Sequence, residues 1–424
     1  MAGYAKAARS AIIRSVLLGK TAVCKGAKQL QHLSLEQAQQ ELLSVLPSLE
    51  MELVPLSAGL GRILASDIAA PYSLPQSDQS AVDGYAVGRP TSTIPSSFKM
   101  VGDYRLGEAP QQPLRDNEAV RVSTGGNLPP GTCAVAPHEK TTCNGEMLLV
   151  AEIAKLGQNI KNKGEDFRQG ETILYGKSRL NAGSIALLAA MGIGTVPVYR
   201  QPRIGIINLA PNVVPASLPI GSGQTWDSNG PMLTALVQQH GGRAVIAETA
   251  CGSEMTSRLL ELLDQVDIVI CTGGSYMEDD SEARQLFAAV GARVLYWDIA
   301  VQPGSHTGAA SLDSRLLFSL SGNPAACFVG YHLFVAPVIR AMMGQAKLPG
   351  RIAARCVNGF SKAANTRRMV RGQACYRNSE WEVEVLPGQK PSMIRSLLEC
   401  NALIDIAAGS PAVEAGSNVQ ILLL

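Results

Sequence analysis

Charge is scarce in this sequence, and so are aromatic rings. Of 424 residues, 17% are Asp, Glu, Lys or Arg and 5% are Phe, Trp or Tyr. Lys and Arg total 37 against 35 acids, a formal net charge of +2. A nucleic-acid binder concentrates basic residues on one face, so this balance argues against one. It leaves room for a small anion held in a single pocket. The nine cysteines contain no C-x-x-C pair and are odd in number, and the five histidines lack ligand spacing. Together these speak against a zinc site. Cys271 in IVICTGG and Cys327 in PAACFVG sit inside apolar runs and read as buried, reduced thiols of a cytoplasmic protein. No run of 18 apolar residues is present, so no membrane span is expected.

What is present is apolar residues, at 46%, enough for several buried cores. Residues 1–32 carry Lys and Arg but no acid and are expected to form a basic, disordered extension without a targeting role. Order is expected from Ser34, where SLEQAQQELLSVL places Ser34 and Gln37 in capping-box positions ahead of a helical period. Residues 33–85 with 151–200 read as a linking α+β domain. Residues 86–150 are rich in Pro, Gly and short β-like pieces and read as a small β lobe. From 201 to 346 strands and helices alternate: RIGIINLA, GPMLTALVQQHGG, RAVIAETA, EMTSRLLELLDQV, DIVICTGG, SEARQLFAAVGA, RVLYWDIAV, SRLLFSLSG and NPAACFVGYHLFVAPVIRAMMG. That alternation predicts a doubly wound, mainly parallel sheet with helices on both faces, whose ligands sit at the carboxyl ends of the strands. Residues 347–424 read as a C-terminal β domain.

Three segments point at one crevice of the α/β domain. Gly273 and Gly274 end the strand of DIVICTGGS and permit close backbone approach to a phosphate. In LLFSLSGNPAACFVGYHLF, Asn323 stands as N-cap and Pro324 as first helical residue. Such a turn is expected to offer free backbone N–H groups to an anion. In GQTWDSNGPML one of Asp227, Ser228 and Asn229 opens the following helix. Each segment alone is also what an unliganded turn or cap looks like; their convergence suggests a phosphorylated or otherwise anionic ligand.

These residues, with others in order along the chain, resemble the molybdopterin molybdotransferase family, whose eukaryotic relatives are the E domains of gephyrin-type proteins. GRILASDIAAPYSLPQSDQSAVDGYAV is similar to the signature with an Asp-x-Ser-Ala-Met-Asp-Gly-Tyr-Ala core, and STGGNLPPGTCAV to the Thr-Gly-Ala-Pro-x-Pro segment. GQNIKNKGEDFRQGETIL resembles Gly-x-Asn-x-Arg-x-x-Gly-Glu-Asp, and GQTWDSN resembles Gly-Gln-x-Tyr-Asp-Ser-Asn. CTGGS and LSGNP fall where the family has Gly-Gly-x-Ser and Pro-Gly-Asn-Pro.

The resemblance implies an elongated homodimer of four-subdomain protomers in the cytoplasm, with the active site built from both protomers. It implies insertion of molybdate into adenylylated molybdopterin with release of AMP, assisted by Mg2+. By position, Asp83, Thr124, Glu165 and Asp166 match the family's catalytic residues. Gly273, Gly274, Ser275, Gly322, Asn323, Pro324, Asp227 and Asn229 match its cofactor-binding residues. Other cofactor-pathway proteins are possible partners, whereas nucleic acid and membrane are not expected.

The departures are local. NLAPNVV stands where the family has Thr-Gly-Asp-Glu-Leu, and Ala250-Cys251 where an acidic pair is usual. WDIAVQPGSH stands for Trp-Lys-x-x-x-Lys-Pro-Gly-Lys-Pro, so Asp298, Gln302 and Ser305 replace three lysines. Asp280 and Asp279, with Glu278 beside them, are the candidates to hold a metal, and Lys161, Lys163 or His306 the candidates to supply positive charge. The alternative to an active transferase is a catalytically impaired paralogue that binds molybdopterin or pathway partners without turnover.

Overall fold

The computed structural model describes residues 31–47, 49–90, 96–108, 110, 112–151, 155–246, 254–274, 281–345, 348 and 350–424. Two compact units result. One takes the described residues up to Glu52, Gly61–Ile63 and Val198–Leu424; the other takes Leu53–Leu60 and Leu64–Pro197.

The first unit is built on a seven-stranded sheet in the order Gln31–Leu33, Arg293–Ile299, Gly308–Leu312, Arg315–Leu320, Ile268–Thr272, Arg203–Asn208, Arg243–Ile246. Its centre is parallel, and only Gly308–Leu312 runs antiparallel to both neighbours. Every residue of Ile268–Thr272 is buried, the continuous apolar run of a strand covered on both faces. The chain passes from Arg203–Asn208 to the edge strand Arg243–Ile246, then crosses back to Ile268–Thr272 on the other side of its starting strand. That reversal makes a topological switch point between the carboxyl ends of Arg203–Asn208 and Ile268–Thr272.

Ahead of Ser34, Gln31–Leu33 pairs in parallel with Arg293–Ile299 as the sheet's edge strand. The capping box at Ser34 and Gln37 forms as expected. Its helix is Leu35–Ser44. Leu35, Ala38 and Leu42 enter the apolar core of the α/β sheet.

The helix Pro324–Met342 is long and apolar enough by length and composition to cross a membrane, and 89% of it is buried inside the protein. It is a core helix. Pro337 has no N–H to give the carbonyl of Leu333 one turn earlier. The helix widens there into a π turn over Tyr331–Val335, and the Leu333 carbonyl accepts instead from Gln39 Nε2 at 2.8 Å. The buried amide of Gln39 thus repairs the helix that Pro337 interrupts.

Strands Arg351–Cys356, Arg367–Arg377, Glu380–Val385, Ala402–Ile406 and Asn418–Leu423 close into a ring through the pairing of Arg367–Arg377 with Ala402–Ile406. Val301–Gln302 adds to it in parallel with Arg367–Arg368. The Asp405 carboxylate lies between Arg351, at 2.7 Å, and Arg367, at 2.6 and 2.7 Å. Both guanidiniums also reach Glu36 on the first turn of Leu35–Ser44, at 2.8 Å.

In the second unit the β lobe is a six-stranded sheet, in the order Ala134–Pro137, Gly84–Val87, Glu118–Val122, Ser96–Asp103, Met147–Val150, Thr141–Asn144. It is antiparallel except between Ser96–Asp103 and Glu118–Val122. Its strands alternate over cores that include Tyr85, Phe98 and Leu148 on one face and Leu114, Val120 and Val135 on the other.

Candidate functional site

At the switch point lies a cleft of about 120 Å³. Three strand ends and two helix starts contribute to its walls. Asn208 closes the strand Arg203–Asn208, and its Oδ1 accepts from the Ala210 amide at 3.0 Å. Gly273 follows Ile268–Thr272 with φ +81°. A Cβ there would stand 3.1 Å from that of Ala210, so a side chain would be both strained and crowded. Gly322 follows Arg315–Leu320; a Cβ on it would lie 3.2 Å from the Cα of Gly273. The two glycine turns therefore meet backbone to backbone.

Asn229 ties them together. It is 5% exposed, and its Nδ2 donates to Thr272 Oγ1 at 2.8 Å and to the Gly322 carbonyl at 2.9 Å. Because a carbonyl can only accept, these bonds fix the amide's orientation and leave Oδ1 buried without a partner among the described residues. Asp227 Oδ1 accepts from the Gly230 amide at 2.9 Å, so Asp227 rather than the N-cap residue Ser228 caps the helix Asn229–Gln239. A Cβ at 230 would meet Asp227 Oδ2, so a side chain there would displace the Asp227 carboxylate.

The expected free N–H groups at the start of Pro324–Met342 are not free. Asn323 is the N-cap residue, yet its side chain makes no cap bond. Its amide donates to Ser321 Oγ at 3.2 Å. Pro324 has no N–H, and the amides of Ala325 and Ala326 donate to the Pro391 carbonyl at 3.0 and 3.3 Å. That carbonyl arrives on the loop after Glu380–Val385, which Arg371 anchors. Arg371, fully buried, donates through Nε to Ser396 Oγ at 2.7 Å and through Nη2 to the Gly388 carbonyl at 3.0 Å. Burial pulls its guanidinium down to about 10. A helix end that points at an anion in an isolated motif is here already occupied.

Of the cofactor-binding candidates, Asp227, Asn229, Gly273, Gly322 and Pro324 line the cleft, while Gly274 and Asn323 stand outside it. Ser275, Asp279 and Asp280 lie outside the described residues. Residues that sequence reasoning passed over also line it: Asn208, Ala210 and Trp226. The signal for Trp226 was its place in GQTWDSN, where the family motif has Tyr. Its ring is 51% exposed and is held by Nε1 donating to the Leu218 carbonyl at 2.8 Å.

Among the described residues lining the cleft there is no Lys, Arg or His, and the one charge among them is that of Asp227. An anion about 4 Å from a carboxylate meets a repulsion of about 4 kcal/mol at an effective dielectric near 20. Nor do the described residues fit a magnesium ion. No cluster of three His, Cys, Asp or Glu occurs among them, and Asp227 already spends one oxygen on a cap. The thiols of Cys271 and Cys327 are no nucleophiles, since burial pushes both up to about 12.

Asp298 and His306 face each other at the end of Arg293–Ile299 and beyond. Asp298 takes a left-handed φ of +58°, and its Oδ1 stands 3.1 Å from His306 Nδ1. Gln302 is held by its strand pairing with Arg368.

In the second unit two of the four catalytic candidates are bonded to each other: the Thr124 amide donates to Asp83 Oδ1 at 2.8 Å. Asp83 and Thr124 are exposed. The turn around Thr124 is joined to the strand Gln79–Ser80 through the Gly125 amide and the Ser80 carbonyl, and Gln79–Ser80 pairs with Ile160–Lys161. Glu165 and Asp166 follow on that segment, both exposed. Glu165 Oε2 accepts from the amide of Asn162 at 2.7 Å, within its own turn. Lys161 and Lys163 are exposed on the same segment.

Comparison with known proteins covers this whole architecture. Residues 33–192 match a family model described as the MoeA N-terminal region (domain I and II). Residues 207–341 match a probable molybdopterin binding domain, and residues 353–424 the MoeA C-terminal region (domain IV). A molybdopterin molybdenumtransferase of Staphylococcus aureus (strain COL) is 32% identical over 397 residues, 92% of this chain and 94% of that protein. One from Staphylococcus epidermidis is 30% identical over 378 residues, 87% of this chain and 90% of that protein. The crystal structure of a molybdopterin biosynthesis MoeA protein from Pyrococcus horikosii superposes with a TM-score of 0.79 at 27% identity, covering 93% of this chain and 99% of that one.

Proposed function

The chain belongs to the molybdopterin molybdenumtransferase family, and from that premise we propose that it inserts molybdate into adenylylated molybdopterin with release of AMP. The observation that carries the reading is the in-order match of three family regions along the chain, with a cleft at the switch point of the molybdopterin-binding region. In this reading Gly273, Gly274, Ser275, Gly322, Asn323, Pro324, Asp227 and Asn229 bind the pterin substrate. Asp83, Thr124, Glu165 and Asp166 are the catalytic set. Asp83, Glu165 and Asp166 are exposed carboxylates, the residue type that moves protons in a group transfer. The Asp83–Thr124 bond supports treating that pair as one unit. Asp279 and Asp280 remain the proposed metal ligands, and no step is assigned to Mg2+. The thiols of Cys271, Cys327 and Cys356, buried and unpaired, support a reducing compartment, and we place the reaction in the cytoplasm.

A second reading has one observation in its favour. The described residues lining the cleft include no cationic side chain, and Asp298 stands opposite His306 in the segment where the resemblance has lysines. That suits a protein which binds the pterin without turning it over. One experiment separates the two: calorimetric titration of purified protein with adenylylated molybdopterin, followed by molybdate and magnesium. Release of AMP is the expected result. Pterin binding without AMP release would replace the transferase reading with the carrier one.

The proposal includes a homodimer. Sedimentation at micromolar concentration is expected to return a dimer, and a monomer would remove a shared active site from the reading.

A further inference from the structure

Resting on the transferase reading, we infer that Asp298 and His306 form a dyad that activates water against the phosphoanhydride of the adenylylated substrate. His306 is the catalytic base and Asp298 its positioning residue. Their place comes first. Asp298 lies one residue from the end of the strand Arg293–Ile299, and His306 lies two residues ahead of Gly308–Leu312. Because Gly308–Leu312 runs antiparallel to both its neighbours, both residues fall at the carboxyl edge of the sheet, the edge that carries Gly273 and Gly322. Ligands of such sheets gather there. The loop between the two residues packs on the helix whose first residue, Pro324, lines the cleft. A Cβ on Gly304 would stand 3.5 Å from the Ala326 carbonyl.

Geometry then fixes the chemistry. The Asp298 side chain is 12% exposed and that of His306 62%. A carboxylate can only accept, so at 3.1 Å the proton of a neutral ring lies on Nδ1 and the lone pair on Nε2. The residues on either side of His306 are pinned: the Ser305 carbonyl accepts from the Ile299 amide at 2.9 Å, and Thr307 Oγ1 donates to the Gly304 carbonyl at 2.7 Å. A base oriented by a second group is the arrangement that takes a proton from a nucleophile. The pair does not stand in for a lysine, because a protonated ring with Asp298 sums to zero charge. In the step, the water oxygen bonds the phosphorus of the molybdopterin phosphate as its proton passes to Nε2. The bridging P–O bond breaks, and its electron pair leaves on AMP. Few other charges surround the pair. His32 on Gln31–Leu33 is the register neighbour of Asp298, and Arg368 is that of Gln302. The helix from Pro324 has no Asp, Glu, Lys or Arg before Arg340, and its Cys327, Tyr331 and His332 are buried.

The test follows AMP release from adenylylated molybdopterin by the full chain, with molybdate and magnesium present, between about pH 5 and 9. The wild-type rate is expected to fall on the acid side, where a protonated ring cannot accept. His306→Gln is expected to lower kcat about 100-fold with KM unchanged, and to lose that acid limb. In His306→Ala, added imidazole is expected to restore part of the rate, since the position is exposed. Asp298 stands at φ +58°, a backbone that Asp and Asn tolerate better than other side chains. Asp298→Asn therefore is expected to fold normally and still accept from Nδ1, yet to lower kcat about tenfold, the scale of one charge-assisted hydrogen bond. Wild-type kcat in His306→Gln or in Asp298→Asn overturns the inference and leaves the transferase reading standing. So does a loss at His306 that keeps the acid limb and that imidazole does not relieve. No AMP release by the wild type removes both.

Discussion

Asp83→Ala is expected to cut AMP release by about 100-fold or more while leaving the protein folded. The size follows from removing a positioned acid–base group. The stability estimate follows from the surroundings: Asp83 is exposed and its side chain accepts from the Thr124 amide at 2.8 Å. Losing such a bond on a surface costs about 1 kcal/mol. Asp83→Asn separates the two roles, because the amide oxygen still accepts from Thr124 while the charge is gone. Equal loss in Ala and Asn variants assigns the effect to the charge. Loss only in the Ala variant assigns it to the placement of the Thr124 turn. Wild-type rates in both would take Asp83 out of the catalytic set, and with it the transfer of the family site to this lobe.

The largest stability change is expected at Asp405, far from any chemistry. Its side chain is 4% exposed and bonded to two guanidiniums. Burial alone would push its carboxyl up, but hydrogen bonds from Arg367 and Arg351 outweigh this and hold it below the usual carboxylate value. Asp405→Ala leaves Arg351 and Arg367 sharing only the half-exposed Glu36, and is expected to cost about 3 kcal/mol, the low end for breaking a buried pair. Urea denaturation followed by circular dichroism measures it; a change below about 1 kcal/mol would mean that Glu36 and water replace the partner. The pH dependence has a definite sign. A depressed carboxyl contributes its full stability above the unfolded value near 4 and loses it as pH falls through the folded one. Wild-type protein should therefore lose stability below pH 4 by an increment that the Asp405→Ala variant lacks.

Much of the α/β unit is legible in the chain because its elements carry strong local signals. Ser34 and Gln37 cap a helix where their spacing says they should, and IVICT is buried along its whole length as a central parallel strand must be. The strand Gly308–Leu312 escaped notice because GAASL has little β propensity and is held by its neighbours on both sides. Gln31–Leu33 is too short to show a period. Asn208, Trp226 and Pro391 bear on the cleft through long-range placement, which no window of residues reports. The glycines at 273 and 322 were legible as turns; that the amides of Ala325 and Ala326 after them are already bonded was not, since their partner comes from another domain.

The Pro391 carbonyl has a consequence for how this chain can be divided. It accepts from first-turn amides of a helix that begins at Pro324, so the C-terminal β barrel completes the start of a helix packed on the α/β sheet. Cutting the chain near residue 350 removes a domain and, in the same stroke, uncovers the amides of Ala325 and Ala326. The fragment would gain an anion-attracting helix end that the intact protein does not possess. The ligand preference of the molybdopterin-binding region is therefore a property of the whole chain, set in part by a proline that lies outside that region's matched boundaries.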